Sequence, residues 1–260
     1  TFEGYSWERL ACKLIHEKFP KLVVVGYQHA VITGGPRAIN HKFGGGMDPD
    51  HIVCTGPYVK QRLVAEGDFR PKDLTIIGTP KTLAQNSLSC GTQMTQYHCI
   101  LAVPEGVMSE TLILGQALAE LASKLPNMRC VLRLHPIISS EKVLRNCSKI
   151  RAAPENFSIS SRAIECDIAD SGWLIYRGSS VVLSAIATGS RALFFDDTGR
   201  GIGDIIDADI SWRIKCNSVS DLIVQIKKDL KSSKTLAERN KMSLAEAQKF
   251  VTSYYSSFDV

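Results

Sequence analysis

Residues 128–136 read MRCVLRLHP, an apolar run that closes on an arginine, a histidine and a proline. A short apolar run bounded by turn residues reads as a buried strand. Its neighbours set the fold class. Upstream lie the strand and loop HCILAVPEG (98–106) and the amphipathic helix SETLILGQALAELASKL (109–125). Downstream come a helix, SSEKVLRNCSKI (139–150), two strands, WLIYRGSS (173–180) and RALFFDD (191–197), and between them the helix VVLSAIATG (181–189). Short apolar strands alternating with helices predict a parallel, doubly wound sheet. SVSDLIVQIKKDL (218–230) and LAEAQKFVTSYYSSF (244–258) read as closing helices.

The first third repeats the alternation. YSWERLACKLIHEKF (5–19) has apolar residues at helical spacing and stops before Pro20, and KLVVVGYQHA (21–30) reads as a buried strand. After a glycine-rich loop come the strand HIVCTG (51–56), a helix opened by Pro57, and the strand LTIIGTP (74–80). The polar stretch 81–97 is the predicted linker. The expectation is an α/β protein of two Rossmann-like domains facing a cleft. An N-terminal domain covers 1–88, and a second domain with the closing helices covers 89–260. The chain enters its first helix abruptly, without an initiator Met, which predicts a trimmed N-terminal domain.

At 260 residues, 44% hydrophobic and 22% charged, the chain has a globular composition and not a disordered one. A net charge of +5 suits an anionic ligand or a membrane surface, and the lack of a Lys/Arg block argues against nucleic acid. None of the eight cysteines has CxxC spacing, so reduced thiols are expected, without zinc or a disulfide framework. No apolar run reaches the length of a membrane span. These features predict a cytoplasmic protein, with peripheral association at the inner face of the membrane as an option.

In open parallel sheets ligands bind beyond the carboxyl ends of strands. Gln28 and His29, Glu105 and Gly106, His135, and Ser179 and Ser180 all follow strand-like runs. Gly178-Ser179-Ser180 opens a helix, where free amides and the positive dipole end can hold phosphate; the ordinary alternative is a serine that caps its own helix. Pro136 fixes the turn that aims His135, and strand alternation puts Arg133 on the same side, where it binds phosphate or pairs with a nearby acid.

RLHP followed by a Gly-Ser-Ser helix start resembles the histidine-proline and serine-serine motifs of GT-B-fold glycosyltransferases that use CMP-activated sugars, bacterial sialyltransferases and Kdo transferases among them. FEGYSWE, VVVGYQHA and DHIVCTG are similar to a group of bacterial surface-carbohydrate biosynthesis proteins in this superfamily. The resemblance implies that His135, Ser179 and Ser180 contact nucleotide phosphates, that the donor is CMP-linked, and that no metal is obligatory. It supplies no catalytic acid or base, because the acidic-glycine motif of the sialyltransferases is not plainly present.

The acids are therefore read locally. Glu3, at the mouth of the first helix, could take the proton of an attacking acceptor hydroxyl or could stabilise the helix start, and Glu8 lies one turn on. Glu105 could touch the sugar, form a covalent adduct, or stand in a solvated loop. Gln28 and His29 are candidates for acceptor binding. Gly34-Gly35 and Gly44–Gly46 lack P-loop spacing. Asp196-Asp197 reads as a solvated turn before a metal site. The expected activity moves a sugar, such as Kdo or another nonulosonate, from a nucleotide donor to a glycan or lipid-linked glycan acceptor. The competing readings are a polymerase that transfers a phosphoalcohol from a CDP donor, a nucleotide-sugar epimerase, and a non-catalytic scaffold of glycan assembly.

Overall fold

The structure, a computed structural model, describes residues 1–32, 38–79, 98–199, 203–206, 210, 213–231 and 236–258. The chain forms two contact units: residues 1–82 with 249–260, and residues 83–248. Each is built on a parallel sheet, as the alternation predicts. The expected boundary at 88/89, the linker 81–97 and Gly34-Gly35 lie outside the described residues.

The first unit contains α1 (Ser6–Lys18), β1 (Val25–Tyr27), β2 (His51–Cys54), α2 (Pro57–Glu66) and β3 (Leu74–Ile76), with sheet order β1-β2-β3. The stretch 21–30, read as a buried strand, keeps only three residues in β1, and Val23 and Val25 are exposed. Among the described residues β1 is the edge of its sheet, with a neighbouring strand on one side. α1 turns Glu8, Arg9 and Cys12 inward and leaves Trp7, Leu10 and Leu14 exposed. Arg9 organises this end of the unit. Its guanidinium pairs with buried Asp48 and donates to the carbonyls of Gly4, Ala38 and His41, at 3.0, 2.6 and 2.7 Å. The second carboxylate oxygen of Asp48 accepts the amides of Phe43 and Gly44, at 2.8 and 2.6 Å.

The second unit carries a six-stranded sheet. Its elements are β4 (Cys99–Pro104), α3 (Met108–Lys124), β5 (Arg129–Arg133), α4 (Ser140–Asn146), α5 (Ser148–Arg151), β6 (Phe157–Ser160), α6 (Ile164–Asp170), β7 (Trp173–Arg177), α7 (Val181–Ala187), β8 (Arg191–Phe195), β9 (Ile214–Cys216) and α8 (Val219–Lys231). The strand order is β6-β5-β4-β7-β8-β9, all parallel. β4 is buried along its whole length, and α3 packs Leu114, Leu118 and Leu121 into the same core as Trp173 and Ile175. The sequence reading omits both edge strands: β6 is half polar, and β9 has three residues. It also joins α4 and α5, which Cys147 separates with an extended backbone.

α9 (Leu236–Tyr254) closes the chain. Residues 249–260, expected in the second domain, group instead with the first unit. The Tyr254 hydroxyl donates to the Ile32 carbonyl at 2.9 Å, and Ser256 exchanges backbone bonds with Thr55 and Thr79. Gly56 and Gly78 admit this tail: a Cβ at Gly56 would stand 2.4 Å from the Ser253 carbonyl oxygen. The seven described cysteines are free, and among the described residues no helix is long and apolar enough to cross a membrane.

Two predictions follow from the first unit. Gly56→Ala, which drives a methyl into fixed backbone, is expected to cost about 1–3 kcal/mol of unfolding free energy in urea titration. Both ring nitrogens of His16 face acceptors, the Gly46 carbonyl at 2.8 Å and an Asp50 carboxylate oxygen at 3.1 Å. The Gly46 carbonyl, then Asp50, raise the ring's pKa. A raised folded-state pKa contributes stability that is full below the unfolded-state value and disappears as pH rises through the folded one. The stability gap between the wild type and His16→Ala should therefore close on going from about pH 6 to about pH 9. A gap that does not change with pH would mean a neutral ring.

Candidate functional site

β4 lies at the centre of the second sheet, with β5 on one side and β7 on the other. The strand order reverses there, and connections leave the carboxyl ends of these strands in opposite directions. Such a switch point opens a crevice in any doubly wound sheet. Here it is a pocket of about 370 Å3. Glu105 and Gly106 follow β4, Leu134, His135 and Pro136 follow β5, and Gly178, Ser179 and Ser180 follow β7; all of them line it, as does Arg133. Every residue of the second unit that the sequence singled out for nucleotide or catalysis thus reaches one cavity.

The loop after β7 turns sharply at a glycine. Gly178 adopts φ +72°, and its amide donates to the Gly203 carbonyl at 3.0 Å. Ser180 is in the right-handed region at the start of α7 and makes no side-chain cap. Neither the Ser179 nor the Ser180 hydroxyl has a hydrogen-bond partner among the described residues, so the self-capping reading is not what the structure shows. Their amides have no acceptor there either.

The other walls close tightly on this loop. A Cβ at Gly178 would lie 2.6 Å from a carboxylate oxygen of Glu105, which places that side chain directly against the turn. Glu105 thus lines the pocket while remaining solvent-exposed, as the loop reading expects. The His135 ring covers Gly106, where a Cβ would approach it to 3.1 Å. Its Nδ1 faces the Ile137 amide in a long 3.4 Å contact, which leaves Nε2 for a ligand.

The fixed charges nearby are compensated. Arg133 pairs with buried Asp167 at 3.3 Å and donates to the Arg162 carbonyl, so it has both pocket exposure and an acidic partner. Arg177 is bonded to Glu110 and to Asp197, the latter at 2.5 Å. Asp196, read as half of a solvated turn, is buried, paired with Lys215 at 2.7 Å and bonded to the Thr198 hydroxyl. Among the described residues no three His, Cys, Asp or Glu side chains group to hold a metal ion.

In the first unit the candidates are engaged. Glu8 is buried, and one of its carboxylate oxygens accepts the amides of Glu3 and Tyr5 at 2.8 and 3.0 Å, which makes it the cap of α1. A Glu3 carboxylate oxygen accepts the amides of His29 and Ala30, both at 2.8 Å, and stands 2.9 Å from His29 Nδ1. Gln28, a candidate for acceptor binding, is 0% exposed and folds its amide onto the Ala30 carbonyl. The His29 side chain is 43% exposed. Sequence reasoning missed Ile164, which lines the pocket from α6, and the Gly203 carbonyl behind Gly178. Neither carries a motif; each is brought in by chain folding.

No protein-family model matches the chain, and no curated protein matches it in sequence. Solved structures do match. A candidate UDP-N-acetylglucosamine 2-epimerase from Listeria monocytogenes is 14% identical with a TM-score of 0.55, over 95% of this chain and 76% of its own. HepE from Anabaena, in complex with UDP and glucose, is 10% identical with a TM-score of 0.55, over 95% and 71%. The UDP-GlcNAc 2-epimerase from Neisseria meningitidis, bound to UDP-GlcNAc, is 14% identical with a TM-score of 0.50, over 78% and 60%. The chain has the α/β fold of two Rossmann-like units that GT-B-type structures share.

The packing of Glu105 on Gly178 can be tested by stability. Gly178→Ala combines left-handed strain with a collision and should cost about 2–4 kcal/mol. In the Glu105→Ala background the same change should cost only the backbone part, about 1–2 kcal/mol. Equal costs in both backgrounds would show that the two residues do not touch.

Proposed function

We propose that this protein is a glycosyltransferase that takes a sugar from a nucleotide donor, with the donor's phosphate bound between the Gly178–Ser180 turn and His135. One observation carries the reading: two uncommitted serine hydroxyls and their amides share a switch-point pocket with a histidine whose Nε2 is open. Charge develops on the phosphate as the glycosyl bond breaks, and preorganised donors in a walled site stabilise it. His135 can donate to that phosphate or protonate the leaving group. Arg133 adds a guanidinium already positioned by Asp167.

Glu105 is the carboxylate inside this pocket and is suited to the sugar's hydroxyls. Glu3 keeps the acceptor-side reading, although its hydrogen bonds to His29 and Ala30 give it a structural task as well. The motif resemblance favours a CMP-linked donor such as Kdo or another nonulosonate. The acceptor is then a glycan or lipid-linked glycan met by the first unit, and the work is cytoplasmic, at or near the membrane face. No metal is needed in this scheme. A second reading is a nucleotide-sugar epimerase, since two proteins of similar fold carry that name; it would turn over donor with no acceptor.

Calorimetric titration of the chain with CMP, UDP, GDP and ADP tests the proposal. Selective CMP binding, weakened at least tenfold (about 1.4 kcal/mol) by His135→Ala and by the Ser179→Ala/Ser180→Ala double variant, is the expected result. Selective UDP binding would keep the pocket and overturn the CMP-type donor. Absence of binding to any of the four would overturn the nucleotide reading. If nucleotide binds, release of free nucleotide from a donor sugar only when acceptor is present separates transferase from epimerase.

A further inference from the structure

Behind the Gly178 turn lies a buried polar cluster that the proposed chemistry does not use. Asp204 is 7% exposed. One of its carboxylate oxygens accepts the Tyr176 hydroxyl at 2.6 Å and the Ile206 amide at 3.1 Å, and the other is paired with Arg213. The Tyr176 ring is fully buried and packs on Phe194, at 5.4 Å between centroids, and the Arg213 guanidinium lies 5.5 Å from the centre of that same ring. Buried carboxylates cost several kcal/mol unless paired and hydrogen-bonded, so a cluster this complete has one preferred arrangement.

Its geometry connects it to the pocket. Gly203, next to Asp204, accepts the amide of Gly178 through its carbonyl. Tyr176 is the penultimate residue of β7, two positions before Gly178 in the turn that follows. The dipeptide Gly203-Asp204 therefore grips the end of β7 twice, by side chain at Tyr176 and by main chain at Gly178. Occupying the Gly178 amide in this way leaves the Ser179 and Ser180 amides as the free donors of the turn.

We infer that Asp204 is a positioning residue: through Tyr176 and the Gly203 carbonyl it sets the angle at which the Ser179–Ser180 turn meets an anionic ligand. The inference rests on the nucleotide reading above and names the group that preorganises its phosphate site. A misplacement of about 1 Å in such a site is enough to cost large factors in binding or turnover.

The test is a double-mutant cycle on nucleotide affinity. Tyr176→Phe removes one hydroxyl without changing core volume, and Ser180→Ala removes a donor of the turn. With whichever of CMP or UDP the wild type binds, Tyr176→Phe is expected to weaken binding at least fivefold. In the Ser180→Ala background the same change is expected to have less than half that effect, because the two residues share one turn although they do not touch. Asp204→Asn, which can still accept from Tyr176, is expected to recover part of the affinity that Asp204→Ala loses. Wild-type affinity in Tyr176→Phe, or strictly additive losses, would overturn the positioning role and leave the nucleotide reading intact. A wild type that binds neither nucleotide would overturn both.

Discussion

The parallel pairing of β4 with β5 on one side and β7 on the other is the constraint on which the second unit depends. Parallel register forces the three carboxyl ends to the same edge, whatever residues occupy them. The order β6-β5-β4-β7-β8-β9 then makes β4 the point from which connections diverge. A crevice at that edge is a consequence of topology. Its chemistry comes from what the chain places there: a glycine that passes under a histidine, and a Gly-Ser-Ser turn whose two serine amides have no acceptor among the described residues.

The pocket's electrostatics are mostly those of dipoles. Arg133, Arg177 and Lys215 are each answered by a carboxylate, at Asp167, at Glu110 and Asp197, and at Asp196. Such pairs fix geometry more than they add net charge, because desolvation offsets much of the Coulomb gain. Attraction for an anion falls to neutral donors at the Ser179–Ser180 turn and to His135. Glu105, resting on Gly178, adds a negative group to the same wall. Under the proposed function, the phosphate would lie toward the turn and the sugar hydroxyls toward the carboxylate.

The first unit is held differently. A single guanidinium, Arg9, ties α1 to Gly4, Ala38, His41 and Asp48. The polar side of α1 faces inward because that network needs it, which leaves Trp7, Leu10 and Leu14 outside. The tail completes the unit by crossing Gly56 and Gly78, where only a glycine gives the backbone room. Glu3 and Glu8 belong to the same economy of backbone amides, each accepting two of them.

The sequence by itself determined the α/β class, the central strands and the loops that carry the pocket. Runs such as CILAV and WLIY are apolar at every position, which only strands buried on both faces require, and their closing residues must then fall at one sheet edge. The edge strands escaped, since β6 is half polar, β9 is only three residues long, and both pair through backbone that any sequence supplies. What tertiary structure alone decided is the state of each polar group. Arg133 held by Asp167 and Asp204 gripping β7 depend on partners distant in sequence, whereas Glu8 and Gln28 take local partners, Glu3 with Tyr5 and Ala30, that the sequence reading did not assign. The return of residues 249–260 to the first unit was equally unreadable, because it depends on two glycines nearly 200 residues upstream leaving space for a backbone to pass. Local pattern reports burial and period; the pairing of polar atoms is settled only when the chain has folded.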